Sequence, residues 1–244
     1  MKNEEGLPAA RLPVRQGRKA IVLLSGGLDS ATTLYLAKKN GFHCFCLIFD
    51  YGQRHKRELQ SAKRIAQRVK CPYTILKINL PWKGSALLDR KIKVPEPANP
   101  RTREPANPVP STYVPARNII FLSFALSFAE AIKAEAIFIG AHIQDYSGYP
   151  DCRPEFYRAF SQIIATGTKT GLEQRKIKIE TPLIRKTKAQ IIRLARRLEV
   201  PLALTWSCYR GGKVPCGKCD SCYYRAKGFL EAGIDDPLFR NPSR

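Results

Sequence analysis

Residues 21–30 read Ile21-Val22-Leu23-Leu24-Ser25-Gly26-Gly27-Leu28-Asp29-Ser30, an apolar run that turns through two glycines into a second patterned segment. A short unbroken apolar stretch is expected of a strand buried on both faces. Gly26 and Gly27 allow a turn free of side chains. Leu28, Leu34, Leu36 and Ala37 then recur at helical spacing over 28–39. The first turn of a helix offers unpaired N–H groups and partial positive charge, so this layout predicts an anion site with phosphate as its natural guest. The same residues also suit an ordinary strand-to-helix turn in which Asp29 or Ser30 caps the helix.

The wording Ser-Gly-Gly-Leu-Asp-Ser is neither Gly-x-x-x-x-Gly-Lys-Ser nor Gly-x-Gly-x-x-Gly. It resembles the pyrophosphate loop (PP-loop) of the N-type ATP pyrophosphatases. That resemblance implies a grip on the β,γ-pyrophosphate of ATP while a substrate oxygen attacks the α-phosphorus.

Working outward, 42–49 reads as a second buried strand, ending at Asp50-Tyr51-Gly52-Gln53-Arg54-His55, and a helix follows to about 69. A third strand at 73–78 completes a βαβαβ pattern, which predicts an α/β fold: a Rossmann-like parallel sheet with helices on both faces. Ligands should then gather at the carboxyl ends of the strands, where 25–30 and 50–55 both lie.

From 80 to 115 periodicity disappears and proline dominates, with Glu-Pro-Ala-Asn-Pro at 96–100 and again at 104–108. Proline removes backbone donors and favours extended chain, so 95–110 reads as an insert whose C-terminal end faces the site. Ser111-Thr112-Tyr113-Val114-Pro115-Ala116-Arg117-Asn118 leads into an apolar helix over 119–133 with Arg117 at its start. A cation at that end of a helix calls for compensation, which an anionic ligand would supply; a plain surface charge is the other reading. A fourth strand is expected at 136–140, then a polar loop over 141–154. A helix from 155, a strand near 177–179 and a helix over 187–198, capped by Thr187, complete the body.

The chain has 244 residues, 44% of them hydrophobic, which suits one α/β domain and a sizeable core. No apolar run approaches the roughly 18 residues that span a membrane. Residues 1–18 are basic without an apolar segment and read as an extension, not a secretory signal. The net charge is +22, from 42 Lys and Arg against 20 Asp and Glu. Its clusters lie inside regular elements, so they suit a solvated basic surface as well as a polyanion-facing one.

Eight cysteines without a signal sequence suggest a reducing, cytoplasmic setting. Cys44, Cys46, Cys71 and Cys152 are scattered and read as packing residues. Cys208, Cys216, Cys219 and Cys222 form Cys-x7-Cys-x2-Cys-x2-Cys, in which Gly217 relieves the tight turn. Four thiolates suit a closed tetrahedral zinc site. An iron–sulfur cluster and a redox pair remain open alternatives.

Taken together, Ser-Gly-Gly-Leu-Asp-Ser, Tyr-Gly-Gln-Arg-His, Val-Pro-Ala-Arg-Asn, Asp-Tyr-Ser-Gly-Tyr-Pro-Asp-Cys-Arg and the four-cysteine tail resemble the 7-cyano-7-deazaguanine synthases. The resemblance spans residues 19 to about 237; the basic N-terminus and the doubled Glu-Pro-Ala-Asn-Pro fall outside it. It implies a catalytic domain over 19–204, with an adenine nucleotide alpha hydrolase-like fold, and a zinc-binding segment over 205–244 packed on it. The activity implied is ATP-dependent ligation of 7-carboxy-7-deazaguanine and ammonia to the nitrile through an adenylated acid and an adenylated amide. ATP would bind along Leu24, Ser25, Gly26, Gly27, Leu28, Asp29, Ser30, Ala31, Thr32, Thr33 and Leu34. Asp29, Lys188 and Arg117 would be catalytic. Asp145, Ser147, Tyr149, Asp151 and Arg153 would hold the deazaguanine; Arg153 also suits a salt bridge to Asp151, and His55 a proton carrier. One structural Zn2+ on Cys208, Cys216, Cys219 and Cys222, Mg2+ with ATP, a homodimer and no direct contact with nucleic acid complete the expectation. A tRNA-thiolating PP-loop enzyme would need a sulfur-carrying cysteine and an RNA-binding module, and a zinc-containing nucleic-acid binder would leave 25–30 unexplained.

Overall fold

The computed structural model describes residues 17–54, 56–96, 109–142 and 148–239. Five strands form one sheet in the order β3-β2-β1-β4-β5: β1 (Lys19–Leu23), β2 (His43–Asp50), β3 (Tyr73–Lys77), β4 (Ala136–Phe138) and β5 (Lys178–Glu180). Every neighbouring pair is parallel. The helices are α1 (Leu28–Lys39), α2 (Arg57–Arg68), α3 (Arg117–Ile132), α4 (Pro154–Gly167), the single turn α5 (Lys169–Leu172), α6 (Lys188–Arg197) and α7 (Asp220–Ala232).

Both faces of the central strands are apolar, and the period of two deals their side chains to two cores. Ala20, Val22 and Leu24 of the first strand region join Cys44, Cys46 and Ile48 against α1, α2, α6 and α7. Ile21 and Leu23 join Leu47 and Phe49 against α3 and α4 on the other face. Ile21, Val22 and Ile137 have no accessible surface at all, each worth about 1.5–3 kcal/mol of transfer free energy. The rings of Phe49 and Phe121 stack 3.8 Å apart and tie β2 to α3. Cys44, Cys46 and Cys71 are buried in the first core, where the Cys71 thiol donates to the Cys44 carbonyl at 2.8 Å. They pack, as read.

Helix starts are chemically marked. Thr187 accepts from the Gln190 N–H while the Gln190 side chain accepts from the Thr187 N–H, a reciprocal cap that sets Lys188 as the first residue of α6. Pro154 opens α4. Helix α3 starts two residues earlier than the apolar pattern suggests, because Ala116 adopts a left-handed conformation (φ 54) and turns the chain directly into Arg117.

The crossover from β3 to α3 is partly embedded. Leu80, Leu87, Val94 and Val114 are buried, and the Ala86 N–H donates to the Ser111 carbonyl at 2.8 Å, so the chain well before the proline-rich insert is tied to the residue that follows it. Most of the doubled Glu-Pro-Ala-Asn-Pro lies outside the described residues, as do residues 1–16 of the basic extension. No helix among the described residues is long and apolar enough to cross a membrane. The chain leaves β1 for β2 and β3, then crosses back to β4 on the other side of β1, and this reversal opens a crevice at the strands' carboxyl ends.

Candidate active site

That crevice is a cavity of about 350 Å³. Its floor is the loop after β1. The Ser25 and Ser30 hydroxyls lie 3.0 Å apart, the Ser30 hydroxyl accepts from the Ser25 N–H, and the Ser25 hydroxyl accepts from the Gly27 N–H. Two hydroxyls thus hold the turn from inside. Gly26 has φ +85, and a Cβ there would come within 2.3 Å of the Glu58 carbonyl oxygen. Only glycine serves where α2 lies this close. Gly27 occupies the cap position of α1 without a side-chain cap, which leaves the N–H groups of the first turn facing the cavity. Asp29 stands inside the helix and Ser30 pins the turn, so neither is the cap.

Asp29 and Lys188 meet across 159 positions of sequence. The Lys188 ammonium donates to both carboxylate oxygens at 2.9 and 3.0 Å. It also lies 2.8 Å from Nε2 of His142, which follows the end of β4. An ammonium only donates, so Nε2 accepts and the imidazole carries its hydrogen on Nδ1. That Nδ1 is buried with no partner among the described residues. Burial by itself would raise the Asp29 carboxyl; the Lys188 ammonium on both of its oxygens holds it well below the usual carboxylate range instead.

Arg117 lines the same cavity but belongs to another cluster. Its guanidinium donates to the Tyr51 hydroxyl at 3.4 Å. Burial works against its charge, and Tyr51 and Asp151 restore it, so Arg117 remains a cation. Tyr149 lies near Arg117 in the cavity lining, its hydroxyl 2.5 Å from that of Thr112, where the end of the proline-rich crossover arrives. Glu58, in the first turn of α2, also faces the cavity, and burial pushes its carboxyl up to about 7 against the pull of Arg117.

The remaining sequence candidates are distributed unevenly. Leu24, Ser25, Gly27, Leu28, Asp29 and Ser30 line the cavity. Ala31, Thr32, Thr33 and Leu34 do not, because the next turn of α1 carries them into the core with no accessible surface. Asp151 is buried behind the wall, where it accepts from the Asn118 N–H at 3.2 Å. Arg153 is exposed at the start of α4, outside the cavity, and no ion pair joins it to Asp151 among the described residues. Asp145, Ser147 and His55 lie outside the described residues. Conversely, His142, Glu58, Trp206 and Tyr209 line the cavity without having been singled out. Position signals three of them, since His142 follows the end of β4 and Trp206 and Tyr209 flank Cys208; Glu58, in the first turn of α2, carries no such signal.

The tail closes over this site. The sulfurs of Cys208, Cys216, Cys219 and Cys222 lie within 4.8 Å of one another. Four thiolates about 2.3 Å from one ion would stand about 3.8 Å apart, so the set fits a metal after a small contraction. Backbone N–H groups of Arg210 and Cys216 point at the Cys208 sulfur, and those of Lys218 and Cys219 at the Cys216 sulfur, the donors that thiolates need. Gly217, with φ +69, makes the knuckle between Cys216 and Cys219. Just before Cys208, the Trp206 N–H donates to the Gly26 carbonyl at 2.9 Å and its indole N–H to the Cys208 carbonyl at 3.0 Å. Arg225 of α7, only 3% exposed, is paired with Asp236 and donates to Thr205.

A family profile described as "Queuosine biosynthesis protein QueC" matches residues 19–233. The 7-cyano-7-deazaguanine synthase of Trichormus variabilis is 51% identical over 222 residues, 90% of this chain and 97% of that protein. The enzyme of the same name from Acetivibrio thermocellus is 53% identical over 222 residues, 91% of this chain and 97% of that one. That of Picrophilus torridus is 51% identical over 220 residues, covering 90% of each.

Proposed function

The chain belongs to the QueC family of queuosine biosynthesis proteins, and from that membership we propose that it is a 7-cyano-7-deazaguanine synthase, a carbon–nitrogen ligase. It converts 7-carboxy-7-deazaguanine and ammonia to the nitrile at the expense of ATP. The observation that carries this reading is the loop after β1, with Asp29 and Lys188 joined over an uncapped helix start.

The substrate carboxylate attacks the α-phosphorus and pyrophosphate departs, leaving an acyl adenylate. Ammonia opens it to the amide and releases AMP. The amide oxygen is then adenylated in the same way, and the nitrile forms as the second AMP leaves. In each activation charge develops on the departing pyrophosphate. Lys188, held in place by Asp29 and His142, and Arg117 in the same cavity supply positive charge there, and the N–H groups of residues 28–30 supply donors. Asp29 orients Lys188 more than it carries charge itself.

We assign the deazaguanine ring to Tyr149 in the cavity wall, with Asp145 and Ser147 of the preceding loop as candidates for its polar edge; Asp151 acts from behind the wall by holding Asn118 and the start of α3, and Arg153, exposed outside the cavity, would reach the substrate only from the rim. Oxygen donors in the loop suit Mg2+, which when bound with ATP screens the phosphate charge. The four thiolates suit one structural Zn2+ that closes the tail. Residues 19–204 act as the catalytic unit and 205–244 as a segment packed on it, in a cytoplasmic homodimer that makes no direct use of nucleic acid.

The test is incubation with 7-carboxy-7-deazaguanine, ammonium and magnesium ATP, followed by mass spectrometry. The nitrile with two AMP per turnover is expected. Absence of both products would reject the substrate assignment.

A further inference from the structure

The cavity that binds ATP and an acid is rich in cations, with Arg54, Arg117, Lys188 and Arg225 on its walls. Its third substrate is ammonium at neutral pH, which such walls repel. Three carboxylates face the same space. Asp29 has both oxygens taken by Lys188. Asp220 stands in the first turn of α7, between two of the cysteine ligands. Glu58 alone is uncommitted: it accepts no hydrogen bond and makes no ion pair among the described residues.

Its position is tightly determined. The Glu58 main chain abuts Gly26, so the residue sits beside the phosphate loop, and it lines the same cavity as Tyr149. Tyr51 and Tyr209 are its neighbours; burial pushes both phenols up and the Glu58 charge adds to the effect. Burying the Glu58 carboxylate is costly, and the Arg117 guanidinium offsets the cost only in part and without bonding to it, so a cation that binds it directly is favoured.

We propose that Glu58 is the ammonium site: its carboxylate binds NH4+ beside the phosphate loop and accepts the proton whose loss frees the nitrogen lone pair. The proposal rests on the functional reading above. Proton transfer gives the neutral carboxylic acid and NH3. The lone pair forms the C–N bond to the acyl carbon, and the bond from that carbon to the bridging oxygen breaks, its electron pair leaving with AMP. One further proton passes from nitrogen to water. Glu58 then returns its own proton to solvent before the next ammonium arrives.

The test compares wild type with Glu58→Gln. Pyrophosphate release from ATP and the acid without ammonium should stay within about threefold of wild type, while KM for ammonium should rise at least about tenfold. Hydroxylamine, whose nitrogen is unprotonated at neutral pH, should restore AMP release by the variant to near the wild-type rate. Glu58→Asp, which keeps the charge at shorter reach, should show an intermediate KM for ammonium and serves if Glu58→Gln does not fold. An unchanged KM for ammonium in either folded variant overturns the proposal. So does a rise confined to the KM for the acid, which would make Glu58 a partner of the 2-amino edge of the ring. Wild-type protein that releases no AMP from the three substrates rejects the functional reading itself, a different failure from either of these.

Discussion

The phosphate loop and the cysteine tail are two ways of building a short irregular segment to hold a charged guest. The loop over 25–30 is backbone and hydroxyl, with Ser25 and Ser30 bracing a glycine turn between a fully buried strand and a helix. Its shape is held by hydrogen bonds among protein groups. The tail over 208–222 is irregular up to the first turn of α7 and brings four thiols within 4.8 Å of one another. The loop is braced by its own hydroxyls and by the sheet, whereas four thiolates brought together repel unless an ion joins them. A lesion in the first should therefore remove chemistry and spare the fold, and a lesion in the second should do the reverse.

The largest expected effect tests the first half of that contrast. Asp29→Ala frees Lys188, and pyrophosphate release should fall about 10²–10³-fold with the thermal midpoint moved by only a few degrees. A variant that kept full activity would remove Asp29 from the mechanism.

Next comes the tail. Cys219→Ser, or exhaustive chelation of the wild type, should lower the thermal midpoint by about 10 °C, the equivalent of about 3–5 kcal/mol in a chain of this size, and remove one metal per chain by elemental analysis. Unchanged melting with the metal gone would make the tail as independent of its ion as the loop is of phosphate.

Gly26→Ala should break the separation between the two. It places a Cβ against the Glu58 carbonyl at a positive φ, so a cost of about 1–3 kcal/mol is expected, seen as a KM for ATP raised about tenfold.

The smallest effect is in acid. Asp29 has a folded-state value well below its ordinary 3.8, so the stability it contributes is present above that value and is lost as the pH falls through the folded one. The wild type should therefore lose stability more steeply than Asp29→Asn below about pH 4, measured by urea midpoints. Parallel curves would mean that Lys188 does not grip Asp29 in solution.

What could be read from the chain beforehand divides along physical lines. The span of α1 was legible to the residue, because the glycine pair ends the strand and the apolar spacing ends at Lys39. The parallel sheet followed from unbroken apolar strands alternating with helices. The cysteine quartet was legible because its spacing is local. By contrast, the start of α3 hid behind the conformation of Ala116, which no residue type announces. His142 and Glu58 escaped notice because their meaning lies in partners placed by the sheet order: nothing near His142 in sequence says that Lys188 will reach it from 46 positions away. The same limit applies to Ala31–Leu34, where a motif-wide assignment ran on into a helix face that turns inward.

The hydrogen bond from the Trp206 N–H to the Gly26 carbonyl has a consequence in time. At roughly 5–20 residues per second, the 180 positions between the two take on the order of 10–40 s to synthesise. For that interval the β1–α1 segment of a growing chain has left the ribosome while the residues that roof its phosphate loop do not yet exist. Nucleotide gripped by the unfinished loop would be open to water on the tail side. A chain truncated before Trp206 would keep all five strands yet lack the residue that bonds the Gly26 carbonyl and lines the cavity beside the phosphate loop, so the sheet can be complete before its site is.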